Sequence, residues 1–331
     1  MPDNHVDVAD RLLKHAEEDL EAAKVLYERG LMLQSLYHLE QASEKTLKAY
    51  LIGIWFYPMK IVVDTAENIG TAGEFRDIHH RLKSAIYNYI VPRNLGHDFS
   101  RFLNRFLPWL YKAYCSERLV EYVNATLKAW LQRVIINKER VIAKLMEQGT
   151  TREIAEKVYS LLVYIFSQPA PITIGGDIRR KSCDKARLDF GTSLEGLKRE
   201  DRPCLQATTL FIDYVMKLAE EAYNQAILEY REVLDQKIRK EVLEPLGLSD
   251  IFPKNFTNSL IKDLLKSLIV GNIVIVMTLP LHFCLFKYYN ATRYGEGTVP
   301  KEEFENIPNV IDTLRHIHRI TITLISRSRQ D

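Results

Sequence analysis

Apolar residues recur at helical spacing along almost the whole of this 331-residue chain, a pattern that admits little besides packed helices. Leu12, Ala16, Leu20, Ala23 and Leu26 fall on one face of a first helix, and Leu36, Leu39, Ala42, Leu47 and Tyr50 on one face of a second. Gly30 stands between them, where a left-handed residue ends a helix well. The turn is therefore short, and the two helices are expected to lie antiparallel as a hairpin.

The same spacing continues. Phe75, Ile78, Leu82, Ile86 and Tyr89 form a third stripe ended by Pro92, and Phe99, Phe102, Leu103, Phe106 and Leu110 a fourth, which Pro108 breaks or kinks. A long helix is predicted from Glu117 to Met146 and closed by Gly149. Thr150 and Glu153 make a capping box for the next, through about Phe166. Between Gln168 and Pro203 the pattern lapses: Pro169, Pro171, Gly175, Gly176, Gly191 and Gly196 are scattered among basic and acidic residues, which predicts a long basic loop. Further helices are predicted at about 205–243, 258–290 and 301–326, with Pro300 suited to the start of the last. No strand alternation and no repeat is visible. The expectation is an all-α protein with a helical domain over 1–148 and a second helical region over 150–331 carrying the loop at 168–203, or both as one continuous fold.

Charge excludes a global nucleic-acid field. Lys plus Arg number 45 against 43 Asp plus Glu, a formal charge of +2, so any nucleic-acid contact has to come from a local patch. The four cysteines, Cys115, Cys183, Cys204 and Cys284, have no paired spacing. That argues against a zinc site and against a disulfide framework, and it fits a reducing cytoplasm. The charged N-terminus carries no apolar signal core, which also predicts a cytoplasmic location. Residues 268–286 are apolar for about the length of a bilayer span. They include Asn272, Thr278, Pro280 and His282, and the segment reads as a buried core helix ahead of a membrane span. The Glu- and Lys-rich helices would suit a thermophile.

Ala16, Glu17, Asp19, Leu20 and Ala23, followed by Gln41, Ala42, Glu44, Lys45, Lys48, Ala49 and Leu51, form a signature that resembles the opening hairpin of the HEPN family. These helical domains are common in prokaryotic toxin, defence and RNA-processing systems. The resemblance implies a HEPN-like bundle extended by several long C-terminal helices, frequent dimerisation, and no cofactor. Thr292, Arg293, Tyr294 and Gly295 are similar to the Arg-Tyr-Pro segment that precedes the closing helix of HEPN domains. In that case the middle of the chain is an insertion within one fold.

HEPN ribonucleases carry an Arg, a polar neighbour and a downstream His in the pattern R-x4–6-H. There the His moves the proton of the 2′-hydroxyl and the Arg stabilises the charged phosphate. This chain has no pair at that spacing. Two shorter ones stand in its place: Arg93 with Asn94 and His97, and Arg76 with His80, each His four positions after its Arg. On a helix such a pair shares a face. Asn94 or Asp98 also suits a plain N-cap before Phe99.

Arg179, Arg180 and Lys181 in the expected basic loop, and Arg315 and Arg319 on the last helix, are the candidate RNA-binding cations. A basic end to a final helix is also what the helix dipole favours alone. His316 and His318, two residues apart, point to different faces and make a poor metal site, and no metal site is predicted. Two readings result: a metal-independent endoribonuclease or RNA-binding toxin or defence factor, acting as a homodimer, and a non-catalytic helical assembly module with a partner protein. Membrane association through residues 268–286 is a third reading, placed below these.

Overall fold

The structure is a computed structural model, and it describes residues 5–89, 106, 108–113, 115–136, 138–147, 149–167, 170–190, 203–238, 244 and 273–327. All regular structure among these residues is helical, with no strand. The chain is all-α. The helices are α1 (His5–Glu28), α2 (Met32–Tyr50), α3 (Tyr57–Ile69), α4 (Arg76–Tyr89), α5 (Arg118–Ile136), α6 (Lys138–Glu147), α7 (Arg152–Ser167), α8 (Ala170–Phe190), α9 (Leu205–Ile238), α10 (Ile273–Lys287), α11 (Tyr289–Tyr294), α12 (Lys301–Glu305) and α13 (Ile307–Arg327).

The N-terminal hairpin forms as its spacing requires. Gly30 adopts φ 76° between α1 and α2, a conformation that side chains beyond Gly rarely enter. Leu20, Ala23, Leu36, Leu39, Ala42 and Leu47 are buried across the seam, each leucine contributing about 1.5–3 kcal/mol by removal from water. The sequentially distant α13 packs on both α1 and α2. Arg315 of α13 pairs with Glu21 of α1, and one buried cluster runs from Leu20 to Leu324. The two ends of the chain thus build one helical layer.

Helix α2 does not stop at Tyr50. Leu51–Phe56 continues it as a π-helical segment into α3, and Gly53 lies inside that segment. A Cβ there would stand 2.9 Å from Cγ1 of Ile325 and 3.2 Å from Cβ of Ala9. The missing side chain is what lets α1 and α13 close on this turn, a reason for glycine in a helix interior where it otherwise costs stability. The Met32–Ile69 run has an 18-residue window apolar enough to cross a bilayer, and 62% of that window is buried within the protein.

Three expectations are corrected. Residues 170–190 of the predicted basic loop are the helix α8. Its inward face carries Ile178, Arg179, Ser182, Cys183 and Ala186. The spacing is helical, but two of the five are polar, so an apolar count missed it; Pro171 sits in the first turn, where its missing N–H is harmless. Residues 191–202 lie outside the described residues. The predicted last helix is two, with Asn306 between α12 and α13.

The third correction concerns cysteine. Cys115 is bonded to Cys183 and Cys204 to Cys284, so all four are paired and the ground they offered for a reducing compartment disappears. Spacing along the chain could not show this, because the partners are 68 and 80 residues apart and folding alone brings them together.

The apolar segment is a core helix as far as it is described. Residues 273–285 of α10 are all buried, while 268–272 lie outside the described residues.

Candidate functional site

The signature residues of the hairpin divide into two groups by what they touch. Asp19 of α1 accepts from His38 at 2.8 Å through one oxygen and from Lys45 through the other. Ser35 donates to the carbonyl oxygen of Ala23 at 2.8 Å, and Lys48 pairs with Glu44 one turn earlier. Asp19, His38 and Lys45 are therefore a polar staple between α1 and α2. Their chemistry is consumed in holding the hairpin.

The other group lies where α2 meets α10 and α11. Glu40 is 2% exposed. Gln41 donates to its Oε2 at 2.6 Å, while Oε1 is buried without a hydrogen-bond partner among the described residues. Burial pushes its pKa up to about 7, with the charge of Glu44 adding to the rise and Gln41, Arg293 and Lys48 opposing it. One turn on, the Ser43 hydroxyl donates to the Glu40 carbonyl at 2.8 Å and also meets Nδ1 of His282 at 3.0 Å. With its proton committed, the serine oxygen must accept, so the ring presents Nδ1–H. Burial lowers the His282 pKa to about 4, which keeps the imidazole neutral.

From His282 a row of rings leads outward. His282 and Phe286 lie 6.0 Å apart, Phe286 and Tyr289 5.3 Å, and Tyr289 and Tyr294 6.1 Å. Tyr294 is 65% exposed. The Arg293 guanidinium sits 4.4 Å over the Tyr289 ring and 5.1 Å over that of Tyr37 on α2. Such stacking fixes a cation while leaving its edge free for an anion. Gly295 follows with φ 69° and ends α11, which sets the turn after Arg293 and Tyr294. A held guanidinium beside an exposed aromatic ring can grip a phosphate and stack an unpaired base.

The residues expected from sequence fall elsewhere. Arg93, Asn94, His97 and Asp98 lie outside the described residues. Arg76 and His80 are both exposed, at the start of α4. Their neighbour His79 is the buried one, with Nδ1 2.9 Å from the Tyr122 hydroxyl and Nε2 3.3 Å from Glu67. Arg179 is buried and its guanidinium donates to Glu117 at 2.8 Å. It ties α8 to the segment before α5, beside the Cys115–Cys183 bond. Of that basic trio, Arg180 and Lys181 are exposed. Arg315 is held by Glu21, Arg319 is exposed, and His316 and His318 face opposite ways, outward and inward.

Sequence reasoning passed over Glu40, Ser43, His282 and the Arg293 stack. A signal existed for Glu40: it stands among Leu36, Leu39 and Ala42, where the apolar face predicts a hydrophobic residue. Arg293 and Tyr294 were marked by resemblance, and their fold neighbours Tyr37 and Tyr289 were not.

Comparison with known proteins identifies the hairpin: the HEPN domain family matches residues 9–59, which covers α1 from Ala9 onward, α2, the π segment and the first residues of α3. No curated protein and no solved structure matches the chain.

Proposed function

We propose that this HEPN-bearing chain is an RNA-directed protein that holds single-stranded RNA on the surface of α11 and α2. The observation that carries the reading is the Arg293 guanidinium of α11, stacked on Tyr289 and on Tyr37, the latter on α2 within the HEPN match. Arg293 takes a backbone phosphate, and Tyr294 offers its exposed ring to a base. The small formal charge of +2 suits one local patch and not a whole-surface field.

Cleavage, if the protein performs it, falls to Arg93 with His97 or to Arg76 with His80. In either pair the neutral imidazole takes the 2′-hydroxyl proton and the guanidinium offsets the charge growing on phosphorus. A homodimer joining two such sites, a toxin or defence role, and a cytoplasmic location belong to the same proposal. Paired cysteines are compatible with the cytoplasm of a hyperthermophile, where intracellular disulfides are common.

The second reading, a non-catalytic assembly module, draws on Asp19, His38 and Lys45, whose polar groups are spent inside the hairpin.

The test combines binding and cleavage. Labelled single-stranded and structured RNA is incubated with wild type, His97→Ala and His80→Ala in EDTA, and binding is measured for Arg293→Ala and Tyr294→Ala. Loss of a stacked base contact is worth about 1–3 kcal/mol, so Tyr294→Ala is expected to weaken single-strand binding roughly 5- to 150-fold. Wild type that neither binds nor cuts RNA leaves the assembly reading, and binding unchanged in both variants removes the surface named here.

A further inference from the structure

The N-terminus of α9 is capped by a side chain from a distant part of the sequence. Glu303 is wholly buried. Its Oε1 accepts the backbone N–H of Cys204 at 2.7 Å and the phenolic proton of Tyr288, and its Oε2 accepts the N–H of Leu205 at 3.0 Å. Cys204 is itself bonded to Cys284 of α10. The two sulfurs and a Glu303 carboxylate oxygen lie within 4.8 Å of one another, and all three residues are buried. A carboxylate offers about four lone-pair sites. The described contacts use three, which leaves one on Oε2.

This grouping matters once the disulfide is opened. A dithiol reductant delivers two electrons and two protons, turning the Cys204–Cys284 bond into two thiols while the reductant closes its own disulfide. The product is a pair of buried thiols against a carboxylate. Their deprotonation would gather negative charge in a desolvated place, which is strongly unfavourable unless a cation joins them. Zinc accepts this donor set of thiolate sulfur and carboxylate oxygen in tetrahedral geometry.

We infer that Cys204, Cys284 and Glu303 form a redox-gated zinc site. As a disulfide the pair is closed to metal. When reduced it takes one Zn²⁺ through two sulfurs and one Glu303 oxygen, with a fourth position left to water or to the Tyr288 oxygen. Zinc binding releases the two thiol protons to solvent and forms two Zn–S bonds, one Zn–O bond to Glu303 and a second Zn–O bond to the neutral fourth ligand. The start of α9, α10 and α12 therefore stay cross-linked in both states. The inference does not depend on RNA binding. It reverses the sequence expectation of no metal site, because ligands at 204, 284 and 303 have no motif spacing.

The test uses the full chain. It is reduced with excess dithiol without oxygen, freed of reductant, and treated with iodoacetamide with or without Zn²⁺; the alkylated cysteines are then mapped by peptide mass spectrometry. Zinc is expected to protect Cys204 and Cys284 while leaving Cys115 and Cys183 as reactive as before. Co²⁺ in place of zinc is expected to give a thiolate-to-cobalt charge-transfer band in the reduced protein and none in the oxidised one. Loss of even an outer partner of a metal ligand costs about 10- to 100-fold in affinity, so Glu303→Gln should weaken zinc binding at least that much while keeping an acceptor for the helix cap. Equal protection of all four cysteines, or reduced wild type with no cobalt band, overturns the inference. Both readouts use the wild-type fold, and the cobalt band decides the matter should burial alone keep the two thiols from reacting.

Discussion

Glu40→Gln isolates the energetics of the α2–α10–α11 junction. The Glu40 pKa rises from 4.5 to about 7 on burial. A group that holds its proton longer when folded makes stability fall as pH rises between its unfolded and folded pKa values. At about 1.4 kcal/mol per unit, ionised Glu40 opposes folding by about 3 kcal/mol, fully so above pH 7 and not at all well below 4.5. His282 works in the other direction. Burial lowers its pKa from 6.5 to about 4, so stability rises with pH across that interval by a similar amount, and it is lost as pH falls through the folded value. In wild type the two slopes oppose each other over the interval they share. Gln has the shape of the protonated acid and cannot ionise, so the variant keeps the His282 slope alone. Urea unfolding is expected to give matching midpoints for variant and wild type near pH 4, and a variant more stable by about 3 kcal/mol at about pH 8. Equal stability at the higher pH would refute the reasoning, because it would mean that Glu40 gains as much from charged partners as burial takes away.

Asp19→Ala removes the acceptor shared by His38 and Lys45. Both side chains are partly exposed and can turn to water, so the expected loss is about 1–2 kcal/mol and not the larger penalty of a stranded buried group; thermal unfolding measures it, and an unchanged midpoint would show the staple to be idle. Gly53→Ala brings a methyl to 2.9 Å from Ile325 and should destabilise by about 1–3 kcal/mol through overpacking. The double variant Gly53→Ala with Ile325→Ala should recover part of that loss, and simple additivity would place the strain elsewhere.

Legibility followed the chemistry of each element. The hairpin was plain because its apolar residues sit at strict helical spacing around one glycine with a left-handed backbone. The helix α10 was plain because apolar residues dominate it on every side, with Thr278 and His282 as polar exceptions, as suits a segment enclosed by other helices. Helix α8 was hidden because Arg179 and Ser182 occupy its inward face, paired or packed in a way that only the tertiary structure supplies. The cysteine pairs were hidden for a related reason: contact across 68 and 80 residues is a property of the fold and leaves no local trace. At the candidate site, Arg293 and Tyr294 could be marked by their neighbours in sequence. Their stacking partner Tyr37, some 250 residues away, could not.

The joining of α13 to α1 and α2 sets the order of events during synthesis. The hairpin emerges first, yet the helix that covers it follows almost 300 residues later: Glu21 waits for Arg315 across 294 positions. At roughly 5–20 residues per second, translation leaves that apolar seam uncovered for about 15–60 s. A ribosome stalled before residue 307 would therefore display the hairpin with the face that α13 covers still open to water.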